Sequence, residues 1–246
     1  MPTLPVSPAE IAIALLLAAI GATLQGSIGF GLAVVAAPIL LLLDPVWVPG
    51  PMLFAALTLV VLIAHRDRVH ILGSDVALGT FGRFLGTVPA AYAIRMLPGT
   101  VYDLIFAAIV LTGVLLSTSG WHIARTPLNI LAAGTLSGIA GTISSIGGPP
   151  LALVYQREKG PNVRSTMSAI FTVGTMISIA GLWWAGRFGL IELCLGLILM
   201  PAVLIGFAVS RHTALWLDRR HIRPAILAVS AASALLILAR AVYQLM

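Results

Sequence analysis

Charge is what this chain has least of. Asp, Glu, Lys and Arg make up 9% of its 246 residues and hydrophobic residues 59%, whereas a soluble domain carries roughly 25% charged residues. With a mean hydropathy of +1.06, the chain is too poor in charge for a water-soluble fold and reads as an integral membrane protein. Apolar segments recur to the C-terminus with short polar gaps, which leaves no separate soluble domain. Cysteine is nearly absent: Cys194 alone excludes an intramolecular disulfide and any C-x-x-C site, and reads as a small lipid- or helix-facing residue.

Catalytic and metal motifs are missing as well. Neither a G-x-x-x-x-G-K phosphate loop nor a G-x-S-x-G nucleophile motif occurs, so ATP hydrolysis and serine hydrolysis lack their machinery. His65, His70, His122, His212 and His221 stand beside arginines at segment ends, without H-x-x-x-H or H-E-x-x-H spacing, and read as flanks and not as ligands. No catalytic residue, metal or cofactor is expected, and the chain does not read as an enzyme. Nor is the net charge of +6 a nucleic-acid footprint, because the basic residues sit at the ends of apolar segments with no aromatic residues interleaved.

Apolar windows place ten segments near 9–26, 31–43, 48–65, 71–95, 100–118, 128–143, 147–156, 163–185, 189–210 and 223–244. The first has the look of a signal-peptide core but lacks a basic flank and continues too far, so it is read as a retained membrane helix. No charge occurs from Ile11 to Leu43, and a straight helix of that length would reach about 50 Å across a hydrocarbon core of about 30 Å. Gly26, Gly29, Gly31 and Pro38, in "TLQGSIGFGLAVVAAP", are the residues able to break it. Trp47, Trp121, Trp183, Trp184 and Trp216 fall near segment boundaries and read as interfacial anchors.

The halves superpose in one ungapped frame. At an offset of 112 residues Thr23 meets Thr135, Leu24 meets Leu136, Gly26 meets Gly138, Gly29 meets Gly141, Pro38 meets Pro150 and Pro49 meets Pro161. The chain therefore divides into a first membrane repeat at 1–119, a cytoplasmic linker at 120–127 and a second membrane repeat at 128–246. Short cytoplasmic loops collect Lys and Arg. With five segments per half, Arg66, Arg68, Arg125, Arg157, Lys159, Arg164, Arg211, Arg219, Arg220 and Arg223 share one side, which is ten of the fourteen basic residues. "LLDPVWVPG" has no basic residue whereas its counterpart "QREKGPNVR" has three, so the repeats are expected to be inverted, with both termini periplasmic. The fold class is all-α: a polytopic membrane protein of two inverted repeats with discontinuous or re-entrant helices at 31–43 and 147–156.

Interrupted helices at matching positions of inverted repeats mark transporter binding sites near the membrane midplane. A half-helix N-terminus carries positive partial charge that suits an anion. "GTISSIGGPP" adds the hydroxyls of Thr142, Ser144 and Ser145, and Pro149 and Pro150 suit the first turn of a new helix. The candidate substrate-binding residues are Gly26, Ser27, Gly29, Gly31, Arg83, Thr142, Ser144, Ser145, Gly147 and Gly148. Helix packing by small residues is the competing reading for the glycines. Arg83 falls mid-segment, where an arginine costs roughly 2.5–3.5 kcal/mol and needs a pore, a partner or a ligand. An anion would serve, and so would Asp75.

At these stretches the sequence resembles the sulfite exporter TauE/SafE family, also called the 4-toluene sulfonate uptake permease group. "GSIGFGLAVVAAP", "GIAGTISSIGGPPLALVY" and "LGTVPAAYAIRMLP" carry the likeness, which runs over essentially the whole chain. The resemblance implies secondary transport of sulfite, an organosulfonate or a related small sulfur or carboxylate anion across the bacterial inner membrane, usually without ATP. A non-transporting scaffold or assembly factor is the alternative, though it accounts only for the hydrophobicity. The partners expected are a small anionic substrate, membrane lipid and a coupling ion, proton or sodium; a homodimer is left open. No carboxylate stands at a segment centre, so a coupling ion would leave little trace.

Side-specific labelling tests the inversion. Asp44→Cys and Arg187→Cys are expected to react from the periplasm, and Arg68→Cys, Lys159→Cys and Arg219→Cys are not. Labelling of positions 44 and 159 from the same side would rule out inverted repeats.

Overall fold

The computed structural model describes residues 6–118, 123–158, 160–217 and 222–245, with backbone alone at 214–217, 222–226 and 244–245. Trp121, His122, Lys159, Arg219, Arg220 and His221 lie outside the described residues, and the side chains of Trp216 and Arg223 are not described. Among the described residues ten α-helices follow the ten apolar segments: α1 (Pro8–Ile28), α2 (Leu32–Leu43), α3 (Gly50–Arg66), α4 (Gly73–Met96), α5 (Gly99–Thr118), α6 (Pro127–Ser144), α7 (Gly148–Tyr155), α8 (Gly160–Trp184), α9 (Leu190–Leu217) and α10 (Ile222–Leu245). No strand occurs among the described residues. The spans 8–28, 45–66, 99–118, 160–184 and 190–213 are long and apolar enough to cross a membrane. α2 and α7, with 12 and 8 residues, reach only about 18 and 12 Å at 1.5 Å per residue, so neither crosses alone.

Local chemistry explains the helix ends. Ser7 and Glu10 close a capping box at the start of α1, with Pro8 in the first helical position. Thr126 accepts from the Asn129 N–H and Pro127 follows it at the start of α6. α1 stops at Gly29, with φ +99°, and α6 stops at Ser145, with φ +64°. Both are left-handed caps that turn the chain out of the helix.

Side-chain contacts fix the helix directions. Along α1 and α9, Ala19 lies by Gly206, Gly26 by Ser210 and Ser27 by Thr213, so the two run parallel. α3 runs with them, for Gly50 faces Glu192, Gly196 faces Phe54 and Arg66 reaches Ser210. α4, α6 and α8 form a second parallel set, with Gly79 by Gly134 and Ile170, Arg83 by Gly138 and Gly174, and Thr87 by Ser178. The sets oppose each other: Ser145 at the end of α6 bonds Pro49 at the start of α3, and Asp67 at the end of α3 bonds Arg164 at the start of α8. α1 therefore opposes α6, α3 opposes α8 and α4 opposes α9, the inverted relation expected from the charges. The packing repeats as well: Gly82 lies on Leu131 O and Thr135 N, whereas Gly206 lies on Ala19 O and Thr23 N, their counterparts at the 112-residue offset.

The breaks themselves do not obey that offset. The left-handed cap Gly29 has its match in Ser145 and not in Gly141, and beyond the caps the chain differs, with Gly31 at φ +144° and Gly147 at φ −91°; α6 thus runs one turn further than α1 and α7 is one turn shorter than α2. Two other expectations are corrected. Trp47 is buried in a 3-10 turn at 0% exposure, packed in the main apolar cluster and not at the interface. Asp75 does not pair with Arg83; its carboxylate accepts from Arg125 at 2.9 Å and from the Tyr155 hydroxyl at 3.0 Å. Trp183 and Trp184 are exposed, and Arg95 stacks on Trp184.

α4 and α6 touch backbone to backbone. A Cβ at Gly86 would overlap the Thr135 carbonyl, with Ile139 N at 2.9 Å. Gly86→Ala is expected to cost about 1–3 kcal/mol in thermal unfolding, the usual penalty of overpacking. Gly99→Ala, with no atom within 4 Å, should change stability by less than about 0.5 kcal/mol. Equal melting temperatures would show that α4 and α6 separate without cost.

Candidate anion-binding site

A cavity of about 40 Å³ lies where the two breaks meet, lined by Phe30 and Gly31 of the first, Ser145, Ile146, Gly147 and Gly148 of the second, and Arg83. Gln25 of α1 and Thr175 of α8 supply further polar atoms. Both half-helices, α2 and α7, begin at this cavity, so their positive ends face it.

Arg83 dominates the electrostatics. It is 2% exposed, and among the described residues no carboxylate lies within ion-pair distance of it. One guanidinium nitrogen donates to Ser137 Oγ at 2.8 Å and to the Ser137 carbonyl at 3.4 Å. The guanidinium carbon sits 5.2 Å from the centre of the Phe171 ring, a cation–π contact that strengthens with desolvation. Its Nε is buried without a hydrogen-bond partner. Three glycines make the space: a Cβ would stand 3.0 Å from the guanidinium at Gly141 and 2.6 Å from it at Gly147, and at Gly174 it would collide with Nε.

The break residues are held by short side chains. Ser137 Oγ accepts from Arg83 and donates to the Gly147 carbonyl at 2.6 Å, so α6, the second break and the arginine form one unit. Gln25 stands at the counterpart of Ser137, 112 residues earlier. Its Oε1 accepts from the Leu32 N–H at 3.0 Å and caps α2. The Gln25 amide NH2 has no partner among the described residues and is left for the cavity. That pairing across the repeat was the signal by which sequence reasoning could have found Gln25 and Ser137. Thr175, Gly174 and Phe171 carried none, because α8 shows no motif of its own.

Of the residues expected at the site, Gly31, Arg83, Ser145, Gly147 and Gly148 line the cavity. Gly26, Ser27, Gly29, Thr142 and Ser144 do not; most of them lie in polar layers on either side of it. Toward the Lys/Arg-rich end, Arg66 donates to the Gly26 carbonyl at 2.8 Å and to Ser210, and Arg164 donates to the Ser27 carbonyl at 3.4 Å. Both arginines bond Asp67, at 3.1 and 3.2 Å, and Gly29 packs against Arg164. Burial pushes the Asp67 carboxyl up, but hydrogen bonds and charge from Arg66 and Arg164 outweigh it and hold it below its ordinary value. Toward the other end, Thr142 Oγ1 donates to Thr87 at 3.1 Å and meets Ser178 at 2.9 Å. Ser144 bonds the Ala140 carbonyl and the Ile146 N–H, which ties down the turn.

An uncompensated guanidinium, two helix N-termini and a free amide NH2 around one small cavity offer donors and positive charge with no acceptor charge opposite. Such an arrangement has the chemistry to receive an anion. No curated protein and no solved structure matches the chain. The family model described as Sulfite exporter TauE/SafE does match, over residues 13–237, and with nearly its whole length covered the chain belongs to that family of multi-pass membrane transporters.

Proposed function

We propose that the protein is a secondary transporter of a small sulfur-containing oxyanion, sulfite or a short sulfonate, across the bacterial inner membrane. The observation that carries this reading is Arg83, buried without a carboxylate at the junction of both helix breaks. Its planar donor fork suits two oxygens of a sulfite or sulfonate group. Gln25, Ser145, Thr175 and the N-terminus of α7 complete the shell. In this reading residues 1–119 and 128–246 are the two membrane repeats, 120–127 is the cytoplasmic linker, and both termini are periplasmic.

The two polar layers act as alternating closures. The Arg66–Asp67–Arg164 network ties α3 to α8 and to the end of α1, and the Thr87–Thr142–Ser178 cluster ties α4, α6 and α8. Each layer joins elements of both halves, so rocking one half against the other breaks one layer while preserving the second. No Asp or Glu lines the cavity. A coupled proton would therefore ride on the anion, and a sodium ion would be held by backbone carbonyls.

Binding and proteoliposome uptake of labelled sulfite test this reading. Arg83→Gln is expected to weaken anion binding about 10–100-fold, the loss of charge-assisted hydrogen bonds, and to remove nearly all uptake. Arg83→Lys keeps the charge without the fork and should retain weak transport. Arg83→Gln variants that purify stably and still bind and move sulfite like the parent would sink the assignment. Tighter binding of acetate than of sulfite would transfer it to carboxylates.

A further inference from the structure

Phe30 belongs to the first break and packs on the second, and the polar shell assigned to the anion above makes no use of it. It lies in the non-helical link between α1 and α2, half-buried, on the wall of the cavity. Its ring rests on the first residue of α7: a Cβ at Gly148 would stand 2.8 Å from Phe30 Cβ, 3.0 Å from Cδ2 and 3.1 Å from Cγ. Phe30 also packs against two apolar clusters that share α3, one built on α1, α2, α3, α5, α9 and α10 and the other on α3, α6, α7 and α8. The matching residue of the second break, Ile146, is 3% exposed and smaller. The aromatic ring is thus the bulkiest group that either break contributes to the cavity.

Space decides what this ring does. A water needs roughly 10–15 Å³ of such volume, so a cavity of about 40 Å³ holds an oxyanion headgroup and little else. Arg83, Gln25, Ser145 and Thr175 form its polar wall, and Phe30 with Leu53, Val60 and Phe171 its apolar wall. An anion held by Arg83 would turn any organic substituent toward the apolar wall, because desolvating carbon there costs nothing.

Building on the assignment of Arg83 as the anion ligand, we propose that Phe30 is a specificity-determining residue. Its ring fills the volume that the substituent of a larger sulfonate would need, and restricts the site to sulfite and one-carbon sulfonates. Gly148 is the complementary requirement, since any side chain there would drive the ring into the cavity.

Calorimetric titration of the purified full-length protein with sulfite, methanesulfonate and benzenesulfonate tests this. The parent should bind benzenesulfonate at least about tenfold more weakly than methanesulfonate, and Phe30→Ala should narrow that gap by about tenfold while methanesulfonate affinity moves less than about threefold. Phe30→Leu, which keeps an apolar side chain for packing, should shift the ranking the same way by a smaller factor and serves if the alanine variant does not fold. An unchanged gap in the variants, or a parent that binds benzenesulfonate as tightly as methanesulfonate, overturns the role of Phe30 and leaves Arg83 untouched. A parent that binds none of the three anions overturns the assignment of Arg83 and this proposal with it.

Discussion

A guanidinium buried in the middle of a membrane protein with no carboxylate beside it constrains everything around it. Each alternative to a counter-ion has to come from the fold, and here it does: Ser137 accepts its hydrogen bond, Phe171 offers a π face, and Gly141, Gly147 and Gly174 clear the volume. Because Ser137 also holds the Gly147 carbonyl, the arginine and the second break are positioned by one hydroxyl. Nε stays buried without a partner, and the cavity that the arginine lines is what a bound oxyanion would complete. The site is thus built to be electrostatically unfinished.

Glycine serves two ends in this framework, and the structure separates them residue by residue. Gly82, Gly86, Gly134 and Gly138 let α4 and α6 approach until their backbones touch, the small-residue packing of membrane helices. Gly141, Gly147 and Gly174 instead leave room for one side chain, and Gly148 for the ring of Phe30. Packing and binding are continuous here, because Gly138 lies against the Arg83 backbone one turn from Gly141, which lies against its guanidinium. A rigid α4–α6 contact holds the arginine in register with the break, and the polar layers above and below limit access to it.

The family and the chemistry agree without depending on each other. Membership in a transporter family rests on a match along nearly the whole chain; the anion preference rests on charge and donors around one cavity. Opposed halves connect the two, since the antiparallel α1/α6 and α3/α8 pairs bring both interruptions to one cavity. The one-turn slip of the second break, paid for by a shorter α7, makes the halves unequal: one break contributes a phenyl ring and a glycine, the other the two glycines and two prolines that open α7.

By itself the sequence determined the membrane class, the ten helical segments, the opposed directions of α1/α6 and α3/α8, and the mid-segment position of Arg83. These are quantities a bilayer reads locally: hydropathy summed over twenty residues, Lys and Arg counted per loop, a charge placed mid-segment. Tertiary structure alone decided which way each residue faces. Ser144 and Ser145 are neighbours, yet only Ser145 meets the cavity; Thr142 turns to Thr87 and Ser178; Asp75 finds Arg125 and Tyr155; Trp47 packs inside. Gln25, Phe171 and Thr175 join a site shared with Arg83 only because helices distant in sequence pack side by side. In a chain where nearly every segment is apolar, the hydrophobic pattern says that a residue is in the membrane, and only helix-to-helix packing says what it touches there.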